Sequence, residues 1–139
     1  MGLSITYLSH TAEDLPEDFS SFDVVVASEI IEHVINPDGF LKACVKHIKP
    51  KGGMIVTTFN KTLKSYFLGI LLAEYVLKWA PRGTHSWEKF IPPEDLSRKL
   101  SSLGLGKQEI TGLCFSPLTN TWYLSPSTDI NYFLWSAKP

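Results

Sequence analysis

The chain has 139 residues, enough for one domain that buries roughly two-thirds of the surface exposed by its unfolded form. Its composition is that of an ordinary globular protein, with 44% hydrophobic residues, 19% charged residues and a net charge of −1. No basic excess favours nucleic-acid binding, and no block of like charge indicates a disordered tail. Cys44 and Cys114 stand in no metal-binding or redox spacing, so we expect reduced structural thiols.

The first elements predict a strand–helix–strand unit. Phe22–Ser28 is a short apolar run rich in β-branched residues, which is typical of a buried strand. Asn36 and Pro37 predict a helix start, as N-cap and first helical residue, and apolar residues then recur at helical spacing. Pro50–Gly53 predicts a break before a second strand at Met54–Phe59. This order predicts a parallel pair joined by a right-handed crossover.

Weaker patterns flank that unit. Leu3–Leu8 is a candidate short strand before it. After it, Pro92–Asp95 opens a helix that runs towards Gly104. Two more strands are predicted at Lys107–Phe115 and Asp129–Ala137, joined by a turn-rich stretch and closing the sheet as an antiparallel pair. We therefore predict one α/β domain across the chain.

The stretch Leu63–Ala80 is apolar around most of a helix, with Lys64, Glu74 and Lys78 on one narrow stripe. So wide an apolar arc exceeds what an ordinary surface helix buries. The charged residues and Gly69 leave no clean run of about 20 residues to span a bilayer. Two interpretations stay open, a cap buried over an active site and a helix lying in a membrane interface.

Polar side chains follow the first strand directly, namely Ser28, Glu29, Glu32 and His33. In open α/β sheets, ligands bind at the carboxyl ends of the strands. If the segment from Glu29 to His33 forms one helical turn, its two carboxylates and imidazole share a face. Such a set could hold a divalent metal or perform acid–base chemistry. The alternative without function is a solvated helical turn.

Several other side chains lend themselves to simpler interpretations. We expect His10 and His47 to be surface residues. His85 and Trp87 could line a substrate pocket or could stabilise their own loop. We expect the aromatic residues of the last third to pack in the core and on strand faces; they are Trp122, Tyr123, Tyr132, Phe133 and Trp135.

The segment Ser28-Glu29-Ile30-Ile31-Glu32-His33-Val34 is similar to the one that follows strand 4 in class I S-adenosylmethionine-dependent methyltransferases. More narrowly, the chain resembles the O-methyltransferases of ubiquinone biosynthesis, which methylate catechol-type polyprenyl intermediates. The run from Thr58 to Phe90 is the most specific part of that resemblance. The matching segments are Lys49–Gly53, Thr58–Thr62, Ala73–Tyr75, Pro81–His85, Trp87–Phe90, Ile110–Gly112, Asn120–Trp122 and Asp129–Tyr132.

The resemblance implies a role for several residues by their position. Ser28 corresponds to a residue that touches bound S-adenosylmethionine, and His10–Leu15 to a loop that passes near the adenine. Glu29, Glu32 and His33 correspond to a set that binds Mg²⁺, and the imidazole keeps Mn²⁺ or Zn²⁺ possible. The rival mechanism makes His33 a general base that takes the phenolic proton directly.

The resemblance also implies a Rossmann-like class I methyltransferase fold, with a mostly parallel sheet and an antiparallel last strand. The family's glycine-rich loop after strand 1 and the acidic residue that ends strand 2 have no counterpart, since no Gly-x-Gly precedes Phe22. Strands 1 and 2 lie between strands 3 and 4 in that fold. We therefore expect the C-terminal portion of a methyltransferase, without strands 1 and 2, and an open edge at Phe22–Ser28.

The implied activity is metal-assisted O-methylation of a polyprenyl catechol or demethylubiquinol in ubiquinone (coenzyme Q) biosynthesis. Residues 61–83 correspond to an inserted membrane-interface segment, with peripheral membrane association through about 63–81 and a coenzyme Q biosynthetic complex as a further partner. The expected location is the matrix side of the mitochondrial inner membrane, although residues 1–15 show no transit-peptide pattern. The alternative is a truncated, non-catalytic isoform that keeps only membrane or complex contacts.

Overall fold

The structure is a computed structural model of the chain, and it describes residues 2, 4–16, 19, 21–68, 86–116 and 118–139. The described strands are β1 (Phe22–Ser28), β2 (Ile48–Phe59), β3 (Gly106–Ser116), β4 (Thr121–Ser125) and β5 (Asn131–Ala137). The described helices are α1 (Pro37–Lys46), α2 (Leu63–Ser65) and α3 (Pro93–Ser102), with a short 3₁₀ helix at Trp87–Lys89.

The five strands form one sheet in the order β1-β2-β5-β3-β4. β1 and β2 are parallel neighbours with α1 between them in sequence, so the predicted strand–helix–strand unit is confirmed. β5 pairs antiparallel with both β2 and β3, and β4 pairs antiparallel with β3. The predicted α/β class and the closing antiparallel pair are confirmed, and the described sheet holds one parallel pair.

The start of α1 follows the predicted chemistry. The side-chain Oδ1 of Asn36 accepts a hydrogen bond of 3.0 Å from the backbone N–H of Gly39, and Pro37 is the first helical residue. The expected break at Pro50–Gly53 is wrong, because β2 already begins at Ile48. The sheet absorbs this segment as an irregularity: the register with β1 shifts between Phe22 and Val24, and Lys51 has a left-handed φ of 64°.

The two sides of the sheet differ in their packing. On the side that faces α1 and α3, which we call the helix side, strand residues join the helices in the buried core. They include Ala27, Met54, Val56, Tyr132 and Leu134. On the other side, which we call the open side, Val24 and Val26 of β1 are 47% and 61% exposed. The expectation of a buried strand at Phe22–Ser28 is therefore wrong, because β1 is the edge strand of the described sheet and packs on its helix side only. The site residues lie where β1 and β2 end, between these two environments.

Other expectations outside the core need correction. The strand predicted at Leu3–Leu8 is absent from residues 4–8, where Ile5 and Tyr7 are 62% and 85% exposed and pair with no described strand. The predicted turn-rich connection contains β4, in which Trp122 and Tyr123 are more than half exposed and do not belong to the core. Trp122 does pack on the strand face, with its ring centre 5.1 Å from that of Phe115. The high β-propensity of Trp122 and Tyr123 fits a strand at the sheet edge, because β4 pairs with β3 alone among the described strands.

Most of the predicted apolar helix, and His85 with it, lies outside the described residues. Its start is α2, where Thr62 Oγ1 accepts from the backbone N–H of Ser65 at 3.0 Å. A wider π-helical turn follows at 66–68. Leu63 and Phe67 expose 72% and 56% of their surface. Within the part of the chain that the structure describes, no helix is both long and apolar enough to cross a membrane.

Candidate functional site at the carboxyl ends of β1 and β2

The backbone turns sharply where β1 ends. Ser28 is the last strand residue, and Glu29 adopts a left-handed φ of 49°. The next residues form a turn that is closed by a 2.9 Å hydrogen bond from the N–H of His33 to the carbonyl of Ile30. The expected helical turn from Glu29 to His33 is therefore wrong, because a left-handed residue does not belong to a right-handed turn.

Thr57 of β2 holds the end of β1. Its Oγ1 donates to Glu29 Oε1 at 2.7 Å and accepts from the backbone N–H of Glu29 at 3.0 Å. Ser28 Oγ lies 3.2 Å from the same hydroxyl. Because the single hydroxyl proton of Thr57 is given to Glu29, Ser28 is the donor in that contact. The hydroxyl of Thr57 therefore donates one hydrogen bond and accepts two.

The neighbouring residue, Thr58, holds the other carboxylate. Its Oγ1 donates to Glu32 Oε2 at 2.9 Å, and both residues are buried. Glu32 Oε1 is buried and has no hydrogen-bond partner among the described residues. Tyr132 lies on the same side of the sheet, and its hydroxyl donates to the carbonyl of Ile91 at 2.9 Å. Burial raises the pKa of Tyr132, and the nearby acidic side chains, Glu94 first and Glu32 next, raise it further.

Consecutive strand residues point to opposite faces of a sheet, so Thr57 and Thr58 hold their carboxylates on different sides. Thr58 belongs to the helix side with Tyr132, and Thr57 pairs with Ser28 on the open side. Among the described residues, no group of three or more His, Cys, Asp or Glu side chains is placed to hold a metal ion. As arranged here, Glu29, Glu32 and His33 do not fit a jointly held metal, although their donor chemistry suits one.

A pocket of about 490 Å³ lies along β1, the edge strand of the described sheet, and reaches as far as Ser28. The loop from His10 to Leu15 forms one wall, and the side chain of Thr11 closes its own turn by donating to Asp14 Oδ2 at 3.0 Å. Side chains from α1 and its end form the opposite wall; they are Phe40, Cys44 and His47. The pocket thus brings together Ser28 and the loop for which the family resemblance implies a place near the adenine.

Two pocket residues have properties that the sequence did not reveal. His47 is buried rather than on the surface, because it is the single residue between α1 and β2 and lies against the pocket. Its carbonyl accepts from the N–H of Phe22 at 2.6 Å. Burial first and the charge of Glu13 second raise the pKa of the Cys44 thiol to about 11. Cys44 therefore remains a protonated thiol at neutral pH, and nucleophilic or metal-binding thiolate chemistry is disfavoured there.

The contacts of Trp87 favour one of the two roles predicted for it. Its indole Nε1 donates to the carbonyl of Thr62 at 3.0 Å, and the ammonium of Lys61 lies 5.2 Å from its ring centre. Phe90 of the same loop stacks on Phe59 with ring centres 5.0 Å apart. These contacts tie the loop to the end of β2, which supports the loop-stabilising interpretation of Trp87.

Sequence reasoning missed the threonine pair. Thr57 and Thr58 lie in an apolar, β-branched run that predicts strand residues, and the resemblance that begins at Thr58 implies no role for either hydroxyl. One signal could have found them. The carboxyl ends of parallel neighbours adjoin, so polar residues that end the second strand are placed beside those that end the first.

Comparison with known proteins places this geometry in a family. Residues 6–109 match the family model described as a methyltransferase domain. The chain is 44% identical over 133 residues to the ubiquinone biosynthesis O-methyltransferase of Azorhizobium caulinodans. The aligned region covers 96% of this chain and 53% of that protein. It is 46% identical over 131 residues to the protein of the same name from Parvibaculum lavamentivorans, covering 94% and 52%. The predicted resemblance is confirmed, and the chain spans about half the length of the curated relatives it matches.

Solved structures give the same fold. A Thermotoga maritima S-adenosylmethionine-dependent methyltransferase, described as a possible histamine N-methyltransferase, superposes with a TM-score of 0.72 at 20% identity. The match covers 95% of this chain and 63% of that one. A methyltransferase from Archaeoglobus fulgidus gives a TM-score of 0.64 at 17% identity, covering 94% and 66%. At these identities the likeness concerns the fold alone, and it confirms the predicted class I fold.

Proposed function

The chain belongs to the methyltransferase-domain family, and on that premise we propose that it takes part in O-methylation with S-adenosylmethionine as methyl donor. The observation that carries the proposal is the pocket along β1, which brings Ser28 and the loop from His10 to Leu15 to one place. Both are the residues for which the family resemblance implies cofactor contacts. The pocket lies beside the carboxyl end of a parallel strand, where ligands of α/β folds bind.

Bound S-adenosylmethionine supplies a methyl group on a positively charged sulfur, and the acceptor oxygen displaces that sulfur. Residues of the chain fix the shape of the pocket in which this methyl transfer would take place. Thr57 fixes the end of β1 through Ser28 and Glu29, so the rim of the pocket keeps its shape. Because the proton of the Ser28 hydroxyl is given to Thr57, its oxygen offers lone pairs to a donor on the ligand.

The names of the curated relatives support a proposal for the substrate class. Proteins that are 44–46% identical to this chain are named for ubiquinone biosynthesis, and we propose a polyprenyl catechol or demethylubiquinol as the acceptor. We also propose that the segment beginning at Leu63 associates with a membrane surface. The exposed apolar side chains of Leu63, Phe67 and Leu68 support this, because such residues favour an interface. Membership of a coenzyme Q biosynthetic complex and a location on the matrix side of the mitochondrial inner membrane rest on the resemblance alone.

Metal assistance, with Mg²⁺ as the first candidate, is a separate proposal that also rests on the resemblance. The unpartnered Glu32 Oε1 offers a suitable oxygen, but Glu29 is held by Thr57 away from it. We therefore assign no step of the reaction to a metal. The direct use of His33 as a base is the competing proposal. Full methyl transfer after exhaustive treatment with EDTA would contradict metal assistance, and loss that Mg²⁺ restores would support it.

The experiment that tests the proposed function is methyl transfer from S-[methyl-³H]adenosylmethionine to a soluble catechol. The chain should transfer label, and Ser28→Ala should weaken the apparent affinity for the methyl donor by about tenfold through one lost polar contact. Ser101→Ala, a substitution of the same kind at an exposed position of α3, serves as the control. Transfer that Ser28→Ala leaves unchanged would contradict the assigned pocket. Absence of any transfer, with no binding of S-adenosylhomocysteine, would favour the non-catalytic alternative.

A further inference from the structure

We propose that β4 is the surface through which two copies of this chain associate, by antiparallel pairing of their β4 strands. β4 is one edge of the five-stranded sheet and pairs with β3 alone among the described strands. Its outer backbone N–H and C=O groups therefore face away from the described sheet, where a further strand can bind them. Two copies joined at this edge form one continuous sheet.

The charge pattern favours β4 as an edge that pairs with its own copy. Edge strands commonly avoid such pairing by carrying charged residues or proline. β4 carries neither, and residues 110–128 include no Asp, Glu, Lys, Arg or His. Two copies of this stretch therefore meet without opposing like charges. The other edge strand, β1, carries Asp23, which forms an exposed ion pair of 3.0 Å with Lys49.

The sequence of β4 is nearly symmetric about Tyr123. A dimer with a twofold axis needs a self-complementary surface. When the axis passes beside Tyr123, Trp122 of each copy lies opposite Leu124 of the other, and Thr121 lies opposite Ser125. Each pair joins residues of like chemistry, which is the kind of cross-strand contact that stabilises a sheet. A register shifted by two residues would leave two of the five β4 residues unpaired.

The exposed side chains of β4 supply the apolar part of the contact. Trp122, Tyr123 and Leu124 are 56%, 52% and 66% exposed. Trp122 and Leu124 lie on one face, where Trp122 also contacts Phe115 with ring centres 5.1 Å apart. With these side chains and the strand edge, two copies would bury on the order of 1,000 Å² in total, which is small for a specific interface. We therefore expect a reversible dimer with a Kd on the order of 10 μM.

Sedimentation equilibrium of the full chain between about 1 and 300 μM tests the dimer. The wild type should show a monomer–dimer equilibrium. Tyr123→Lys places two ammonium groups opposite each other at the axis and should weaken association at least about tenfold. Val24→Lys, at a 47% exposed position of β1, is the matched control and should keep the wild-type Kd. A wild type that stays monomeric, or equal weakening by both lysines, would overturn the proposal.

A disulfide cross-link tests the register without relying on Tyr123→Lys. Tyr123→Cys should form a linked dimer on mild oxidation, because residues opposite each other have Cα atoms about 5 Å apart. The variant is made with Cys114→Ser, since Cys114 lies opposite Tyr123 within the chain and would compete for the thiol. Trp122→Cys with Cys114→Ser is the control: its two copies lie about 8 Å apart, too far for a disulfide. Equal linkage of both variants, or linkage of neither, would contradict the proposed register.

Lipid vesicles test the rival explanation of the same side chains, since exposed Trp and Tyr also favour membrane interfaces. Dimerisation that vesicles of phosphatidylcholine and phosphatidylglycerol leave unchanged would support the protein contact. A chain that stays monomeric, and that sediments with these vesicles until Trp122→Ser is introduced, would show that β4 contacts lipid and that the proposal is wrong. Each of these results is independent of methyl transfer.

Discussion

The two sides of the sheet use the same strands in different ways. On the helix side, Met54, Val56 and Leu134 are fully buried against α1 and α3. On the open side, Val24 and Val26 of β1 stay 47% and 61% exposed, although they alternate with residues of the core. Fold stability therefore depends mainly on one side. The candidate site lies at the strand ends, where the two sides meet.

This difference also separates the two threonines. Thr58 belongs to the packed side and is fully buried with Glu32, whereas Thr57 joins β2 to Ser28 and Glu29 at the rim. Glu32 therefore lies in the buried part of the structure, whereas Ser28 reaches the pocket along β1.

The largest contrast should come from truncating one apolar residue on each side. Leu134→Ala should lower the free energy of unfolding by about 3 kcal/mol, because it leaves a cavity in a fully buried position. Val26→Ala removes a side chain that is already mostly in water and should cost about 0.5 kcal/mol. Urea denaturation of both variants measures the difference. Equal losses would mean that the open side is packed as tightly as the helix side.

The second-largest effect should be a loss of stability on the helix side at alkaline pH. The pKa of Cys44 rises from 9.0 to about 11 on folding, so the unfolded chain releases this proton first and stability falls as pH rises above 9. The loss should reach about 2 kcal/mol by pH 11. Denaturation of Cys44→Ala should show a smaller decrease over this range than the wild type. Cys114→Ala, at the half-buried thiol, is the control and should keep the wild-type slope; if both variants behave alike, burial of Cys44 is not the cause.

On the open side, Gly53 should not tolerate a larger residue. A side chain at Gly53 would place its Cβ 2.1 Å from Cη2 of Trp135, so the indole must move. Gly53→Ala should lower the free energy of unfolding by about 1.5 kcal/mol through this overpacking. Gly106→Ala meets nothing within 4 Å and serves as the control in the same thermal melts. A Gly53→Ala variant as stable as the control would show that Trp135 does not lie closely on β2.

The smallest effect concerns one hydroxyl beside Glu32. Tyr132→Phe leaves the carbonyl of Ile91 without its 2.9 Å bond and should cost about 1 kcal/mol. Tyr123→Phe, at a hydroxyl-bearing ring that is 52% exposed, should change stability by less than about 0.5 kcal/mol. Chemical denaturation of the pair gives the comparison. No difference between the two would mean that the Tyr132 hydroxyl adds nothing to the helix side.

The sequence was sufficient for the parts of the fold that local chemistry determines. Asn36 and Pro37 predicted the start of α1, and the apolar run of Phe22–Ser28 predicted β1 at its observed bounds. Long-range pairing determines what was missed. Pro50–Gly53 is a typical break, but pairing with β1 and the C-terminal segment draws it into β2, where the N–H of Lys51 donates to the carbonyl of Pro139 at 3.3 Å.

The structure departs from the expected geometry of the candidate site residues. Spacing placed Glu29 and Glu32 on one helical face, and a left-handed backbone at Glu29 removed that arrangement. Left-handed φ at a glutamate has no reliable signature in a sequence, since the contacts that hold it come from another strand. The same holds for the pocket, which joins segments that lie far apart in the chain.

The central claim is that the pocket along β1 binds the methyl donor, and ¹H–¹⁵N chemical shifts during titration with S-adenosylhomocysteine test it most directly. We expect saturable shifts at Thr11, Ala12 and Ser28, with β4 residues Trp122 and Tyr123 unchanged. Ser28→Ala should weaken the binding by about tenfold. Saturable shifts confined to other parts of the sheet, or none at millimolar ligand, would contradict the account.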